Sequence, residues 1–196
     1  GRPTGGGPEA AEGAQGSAEG GELGRPGLEE ALRSQSRVVH VEKALDRQPP
    51  NHVDLRIFTA LPGSAVRFSP TAEVEPFVER QDVPAVPSAF LLSGVLTRSE
   101  CRQLLRVVQG FGFSDDRPLE QVEPHGIGSC EWLADHSLVQ PIWERVRARL
   151  PQRLGPHELH GINARWRCFA YGEGGVYRPH IDGTWPGSGL DEAGAY

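Results

Sequence analysis

Residues 163–183 have the sequence NARWRCFAYGEGGVYRPHIDG, and this stretch decides the predicted fold. Residues 165–171 lack a helical period and are rich in aromatic side chains, so they predict a β-strand. The glycines among residues 172–175 predict a turn, and residues 176–182 are predicted to form the partner strand of a hairpin. A single hairpin is not a stable sheet in water. Since the chain ends soon afterwards, the residues that would complete the sheet are expected to be missing from it.

Two side chains of the predicted partner strand are candidate metal ligands. Residues i and i+2 of a strand point to the same side, so His180 and Asp182 are expected to project together and to chelate one metal ion. A His-x-Asp pair supplies two of the three ligands in the facial triad of non-haem iron(II) oxygenases. The pair alone is a weak signal, because a surface histidine near an aspartate is usually only solvated.

The residues around the pair strengthen the signal, because they resemble the prolyl 4-hydroxylase-like group of iron(II)- and 2-oxoglutarate-dependent dioxygenases. The hallmark of that group is an aromatic-rich strand with a tyrosine, a glycine turn, an aromatic residue and then His-x-Asp. The positions of this hallmark are occupied by Tyr171, Gly174, Tyr177, His180 and Asp182.

The resemblance covers residues 84–196 and implies a fold. The expected class is α+β, a partial double-stranded β-helix (jelly-roll) with supporting helices, truncated at the C-terminus. Residues 74–196 are expected to be the N-terminal part of the dioxygenase domain. Residues 1–73 are expected to be a disordered, low-complexity tail with weak local structure, because the first 27 are mostly Gly, Ala, Glu and Pro and bury little.

The resemblance also implies an activity. The domain would hydroxylate a substrate and would convert 2-oxoglutarate and O2 to succinate and CO2. The first candidate substrate is a prolyl residue of a peptide or protein, and a small molecule is another. Fe(II) would be held by His180 and Asp182, and L-ascorbate (vitamin C) would keep it reduced. Tyr171 would reach the 2-oxoglutarate through its hydroxyl, or else be a core residue. Tyr177 would line the substrate pocket, or else be a packing aromatic.

The sequence departs from the family pattern after Asp182. The family needs a third ligand, a later histidine, and then a Lys or Arg that pairs with 2-oxoglutarate. None of these residue types follows Asp182. The chain is therefore predicted to be a fragment, which alone would be catalytically inert. The other alternative is a cupin-like, non-catalytic jelly-roll interaction module in which Tyr171 and Tyr177 are core residues and the His180 and Asp182 side chains diverge.

Two helices are predicted upstream. Thr97 and Glu100 have the spacing of a capping box, which predicts a helix that begins there and ends near Gly110. Its predicted apolar face consists of Leu104, Leu105 and Val108. A second helix is predicted over residues 137–150, where apolar residues recur every four positions before Pro151. Its predicted solvated face consists of Arg145, Arg147 and Arg149.

Weaker patterns surround these elements. Residues 28–50 are predicted to hold a short helix, and the apolar patches at 55–58 and 66–68 are predicted to be strands or a docked linker. Residues 84–92 predict an edge strand or an extended lead-in. On the strand over residues 165–171, Arg165 and Arg167 are expected to face solvent or to form structural ion pairs rather than to bind a co-substrate.

The composition excludes several classes of protein. The net charge of −6 disfavours a general nucleic-acid binder, so no nucleic-acid partner is expected. No apolar run reaches the roughly 18 to 20 residues of a membrane span. The 3 cysteines include no close pair, which argues against a zinc site or a disulfide framework.

Overall fold

The computed structural model describes residues 36–60, 66–69, 78–124 and 126–181, which form a mixed α+β structure. The elements, in chain order, are β1 (Ser36–Glu42), a short 3-10 helix (Ala44–Asp46), β2 (Leu55–Ala60), β3 (Glu79–Asp82), β4 (Phe90–Ser93), α1 (Arg98–Phe111), β5 (Ile127–Leu133), α2 (His136–Val146), a second 3-10 helix (Arg147–Arg149), β6 (Arg153–Leu154), β7 (His157–Glu158) and β8 (Arg165–Tyr171). Within these ranges no helix has the length and apolar character needed to cross a membrane.

The central sheet has four strands in the order β1-β2-β5-β8. β1 and β2 are antiparallel, β2 and β5 are parallel, and β5 and β8 are antiparallel over their whole length. Two further two-stranded sheets pair β3 with β4 and β6 with β7. The α+β class is therefore confirmed. The described residues close no barrel, and the jelly-roll stays a prediction.

The pairing of β8 differs from the predicted hairpin. β8 itself is confirmed, but residues 176–181 form no strand. The hairpin prediction is therefore wrong for these residues, and Asp182 lies outside the described ones. β8 pairs instead with β5, and the upstream strands β2 and β1 complete the sheet that the sequence predicts to lack strands. Local periodicity identifies a strand but does not specify its partner across a long stretch of sequence.

Two of the four sheet strands come from the segment expected to be a tail. Strand β1 occupies residues 36–42, so the short helix predicted within residues 28–50 does not lie there. Residues 28–35 lie outside the described ones. Strand β2 confirms the strand interpretation of the patch at 55–58, because Leu55 and Ile57 are buried at alternate positions. The sheet thus extends to the N-terminal side of the boundary predicted at residue 74.

Helix α1 begins as the sequence predicts. The Thr97 hydroxyl accepts a hydrogen bond from the Glu100 backbone N–H, and the Glu100 carboxylate accepts one from the Thr97 N–H. The predicted stop near Gly110 is one residue short, because the helix continues to Phe111. It ends at Gly112, whose φ of 79° lies in the left-handed region that favours glycine.

Helix α2 is joined to α1 by a buried ion pair. The predicted second helix is confirmed, although its α-helical part ends at Val146 and a 3-10 turn follows. The prediction that Arg145 is solvated is wrong: Arg145 donates to both carboxylate oxygens of Glu100, at 2.8 and 2.9 Å. Arg147 and Arg149 are exposed, as predicted.

The hydrophobic core lies between the two helices and one face of the sheet. At its centre the Trp132 ring makes edge contacts with Phe111 of α1 and Trp166 of β8, with centroid distances of 5.4 and 5.5 Å. The buried members of this cluster are Ala60, Val66, Val107, Val108, Cys130, Trp132, Ala134 and Leu138. Burial of these side chains fixes which sheet face the helices cover.

The opposite face of the sheet carries charged side chains. Arg165 donates to buried Glu131 at 2.5 Å and to Glu42 at 2.9 Å. Arg167 donates to Asp116, which also accepts from Arg47. The structural ion pairs expected for Arg165 and Arg167 are therefore confirmed.

These ion pairs hold their members in the charged state. Burial raises the pKa of Asp116, but the hydrogen bond and charge of Arg47 and the charge of Arg167 outweigh it, so that the pKa is lowered. Burial likewise opposes the charged form of Arg165, yet its bonds to Glu131 and Glu42 raise its pKa. This side of the sheet is thereby tied to β1 and to the loop before β5.

Candidate metal and co-substrate site

The turn after β8 packs backbone against backbone. The Gly172 N–H donates to the Gly126 carbonyl oxygen at 2.8 Å, and the Gly175 N–H donates to the Gly172 oxygen at 3.0 Å. A Cβ atom on Gly175 would lie 2.7 Å from the Gly126 oxygen, closer than real Cβ atoms come. Glycine is therefore required for this close approach of the two backbone segments.

An aromatic cluster brings three of the predicted site residues together. Phe169 lies 6.4 Å from Tyr171 and 5.7 Å from Tyr177, measured between ring centroids. The Tyr177 ring makes an edge contact with the His180 ring at 4.5 Å. Phe169 is not among the residues predicted from the sequence, although its alternation with Tyr171 on one side of β8 is the signal that identifies it.

Neither tyrosine lies in the core. Tyr171 is 54% exposed and Tyr177 is 52% exposed. Their hydroxyl groups are thus not sequestered among apolar side chains.

The His180 ring forms a hydrogen bond through Nδ1. Its Nδ1 lies 2.7 Å from the Arg178 carbonyl oxygen. Because a carbonyl oxygen can only accept, Nδ1 carries the proton, and the lone pair of the neutral ring is on Nε2. Metal-bound histidines commonly donate their second N–H to a carbonyl or carboxylate in this way. The chemistry of His180 therefore fits an iron ligand that binds through Nε2.

The second predicted ligand, Asp182, lies outside the described residues. Within the described part of the chain, no group of three or more His, Cys, Asp or Glu side chains is placed to hold a metal ion.

A cleft of about 800 Å³ lies beside His180. Tyr177 and His180 line one wall, and Gln121 and Glu123, from the loop before β5, line the other. Tyr171 does not line the cleft; it adjoins it through Phe169. Sequence reasoning missed the second wall, because nothing in the local pattern of residues 121–123 indicates a contact with residues near 180.

The loop that forms this second wall is held by Arg117. Its guanidinium donates to the carbonyl oxygens of Gln121 and Val122 and to the Asp115 carboxylate. The Arg117 carbonyl oxygen in turn accepts from the backbone N–H of His52, between β1 and β2. The cleft is therefore lined by two distant segments of the chain, and the first of them is tied to the segment between β1 and β2.

No family model matches the chain, and neither a curated protein nor a solved structure matches it.

Proposed function

We propose that this chain carries part of an Fe(II)- and 2-oxoglutarate-dependent dioxygenase domain of the prolyl 4-hydroxylase-like kind, with His180 and Asp182 as two of the three iron ligands. The proposed reaction hydroxylates a substrate, with a prolyl residue as the first candidate. The co-substrates are 2-oxoglutarate and O2, and ascorbate keeps the iron reduced.

The observation that carries the proposal is the state of His180. Its Nδ1–H bond to the Arg178 carbonyl oxygen leaves the ring lone pair on Nε2, and the ring lies on the wall of a cleft that has room for small organic molecules. The edge contact with Tyr177 restricts rotation of the ring. A ligand held in one tautomer and one orientation is the arrangement that metal sites use.

The proposed roles of the remaining residues are those that the family resemblance implies. Asp182 would supply a carboxylate oxygen to the metal. The Tyr171 hydroxyl would donate to a 2-oxoglutarate carboxylate, and Tyr177 would form part of the wall against the substrate. Bound iron would supply the activation of O2, which oxidises both partners: one oxygen atom would go to succinate as 2-oxoglutarate loses CO2, and the other to the hydroxyl group of the product. A third histidine ligand and a Lys or Arg for 2-oxoglutarate are required besides these residues.

The test begins with the transcript that encodes the chain. Sequencing beyond Tyr196 is expected to show a histidine followed by Lys or Arg in the same frame. If the reading frame ends without these residues, the product has the His-x-Asp motif but lacks the third iron ligand and the basic residue for 2-oxoglutarate. The catalytic proposal would then be withdrawn.

The second step measures succinate formation by the longest product of that transcript. Turnover of 2-oxoglutarate should require Fe(II) and should be abolished in His180→Ala and in Asp182→Ala. His160→Ala is the matched control, since His160 is also exposed but lies far from the cleft wall in sequence and does not line it. Turnover retained in His180→Ala or Asp182→Ala would refute the ligand assignment.

A further inference from the structure

Helix α1 presents a row of arginines on the face opposite the core. Arg98, Arg102 and Arg106 are all exposed and four residues apart, so they follow one another along the helix over about 12 Å. The buried side of the same helix is marked by Val107 and Val108. The row therefore points directly away from the sheet.

Within the described ranges, these arginines have no charge partner. Arg98, Arg102 and Arg106 form no hydrogen bond or ion pair with the other described side chains. The single acidic residue of α1, Glu100, is fully buried and engaged by Arg145. The positive charge of this face is thus uncompensated, in a chain whose net charge is −6.

The arrangement is unfavourable for the helix itself. Like charges four residues apart repel each other on a helix surface. Arg98 is also the first residue of α1, where the helix dipole disfavours a positive charge. Three arginines in these positions weaken α1 unless an anionic partner offsets their repulsion.

Two neighbouring side chains extend the surface. Arg67 is exposed, and its backbone exchanges hydrogen bonds with the Gln103 side chain, which places Arg67 beside the row. Leu105 is 56% exposed on the outward side of α1, although the sequence predicts it to face the core. A short basic row with an apolar side chain beside it is the complement of an acidic, amphipathic segment.

We propose that this face of α1, defined by Arg98, Arg102, Arg106, Arg67 and Leu105, binds an acidic amphipathic helix of a partner protein. Carboxylates four residues apart on such a helix have the same spacing of about 6 Å as the arginines. Each guanidinium can then donate two parallel hydrogen bonds to one carboxylate, the two-point geometry that arginine favours. The row is too short for the many phosphate contacts that give nucleic acids their affinity, and the net charge of −6 opposes a long polyanion.

The test measures fluorescence anisotropy of a labelled synthetic helix that carries glutamate at every fourth position with leucines beside them. The full chain is compared with the variant R98Q/R102Q/R106Q, and with R37Q/R56Q/R149Q, which removes three exposed arginines outside α1. The first variant should weaken binding by about tenfold or more. The control should change it by less than about twofold, and binding should weaken as salt is added.

Several outcomes would overturn the proposal. These are no binding of the peptide, equal losses in the two variants, and tighter binding of single-stranded DNA or of phosphatidylserine vesicles than of the peptide. Self-association of the chain that only R98Q/R102Q/R106Q removes would place a second copy on this surface instead. Circular dichroism of both variants checks that α1 is intact, so that a loss of binding is not a loss of folding.

Discussion

Replacing Glu100 by Gln is expected to remove about 3 kcal/mol from the free energy of unfolding at neutral pH. The Glu100 side chain is fully buried, Arg145 is 2% exposed, and two N–O distances of 2.8 and 2.9 Å join them. Glutamine keeps the shape and one acceptor oxygen but leaves the Arg145 charge buried without its counter-ion. Removal of one partner from a buried ion pair usually destabilises a protein by about 3 to 5 kcal/mol.

The pKa of Glu100 gives a second route to the same magnitude. The hydrogen bond from Arg145 lowers it from 4.5 to about 2, against the effect of burial, and the backbone N–H groups of Thr97 and Ser69 lower it further. A shift of this size corresponds to about 3 kcal/mol of stability. Since the pKa is lowered on folding, this stability is complete above the unfolded value of 4.5 and is lost as the pH falls towards 2.

Urea unfolding, followed by tryptophan fluorescence, tests both statements. The difference in stability between the wild type and Glu100→Gln should be largest at pH 7 and should narrow towards pH 2. The matched control is Glu158→Gln, because Glu158 forms an ion pair with Arg153 at 2.6 Å, but the two side chains are 76% and 58% exposed. This exposed pair should contribute less than about 1 kcal/mol. Equal losses in the two variants, or a difference that does not depend on pH, would refute the reasoning.

Two further predictions concern the turn and the thiols. Gly175→Ala should lower the thermal midpoint by several degrees, because the new Cβ would lie 2.7 Å from a backbone carbonyl oxygen. Gly161→Ala is the control and should leave the midpoint unchanged, because its Cβ would meet no atom within 4 Å. Equal midpoints of the two variants in calorimetry would contradict this prediction. In thiol labelling at about pH 8, exposed Cys101 should react at once. Cys130 should react only after unfolding, because its hydrogen bond with Cys168 and its burial raise its pKa. Labelling of Cys130 in the folded protein, located by mass spectrometry, would contradict this prediction.

The start of helix α1 illustrates what local sequence predicts well. The reciprocal hydrogen bonds between Thr97 and Glu100 join residues three apart, so their spacing in the sequence is enough to place them. The same Glu100 carboxylate also accepts from the Ser69 backbone and from Arg145. No spacing rule relates these residues to Glu100, so the sequence pattern alone predicts Arg145 to face solvent.

In the candidate site, too, one part is predictable from local spacing and another is not. The sequence singled out Tyr171, Tyr177 and His180 by their spacing around a glycine turn, and the structure brings these three together through Phe169. The second wall of the cleft, with Glu123, was not predictable, because it depends on how the loop before β5 folds against the turn after β8.

The sequence by itself thus determined the helix starts, the extended conformation of residues 165–171 and the residues to inspect for metal chemistry. These depend on contacts between residues a few positions apart, whose energies are set by local spacing. Only the tertiary structure decided that β8 pairs with β5, that β1 and β2 belong to the same sheet, and which arginines are buried. Strand partners and buried charges are selected by contacts between residues far apart in the sequence. Many such pairings are compatible with the local sequence, and only the packing of the complete tertiary structure distinguishes them.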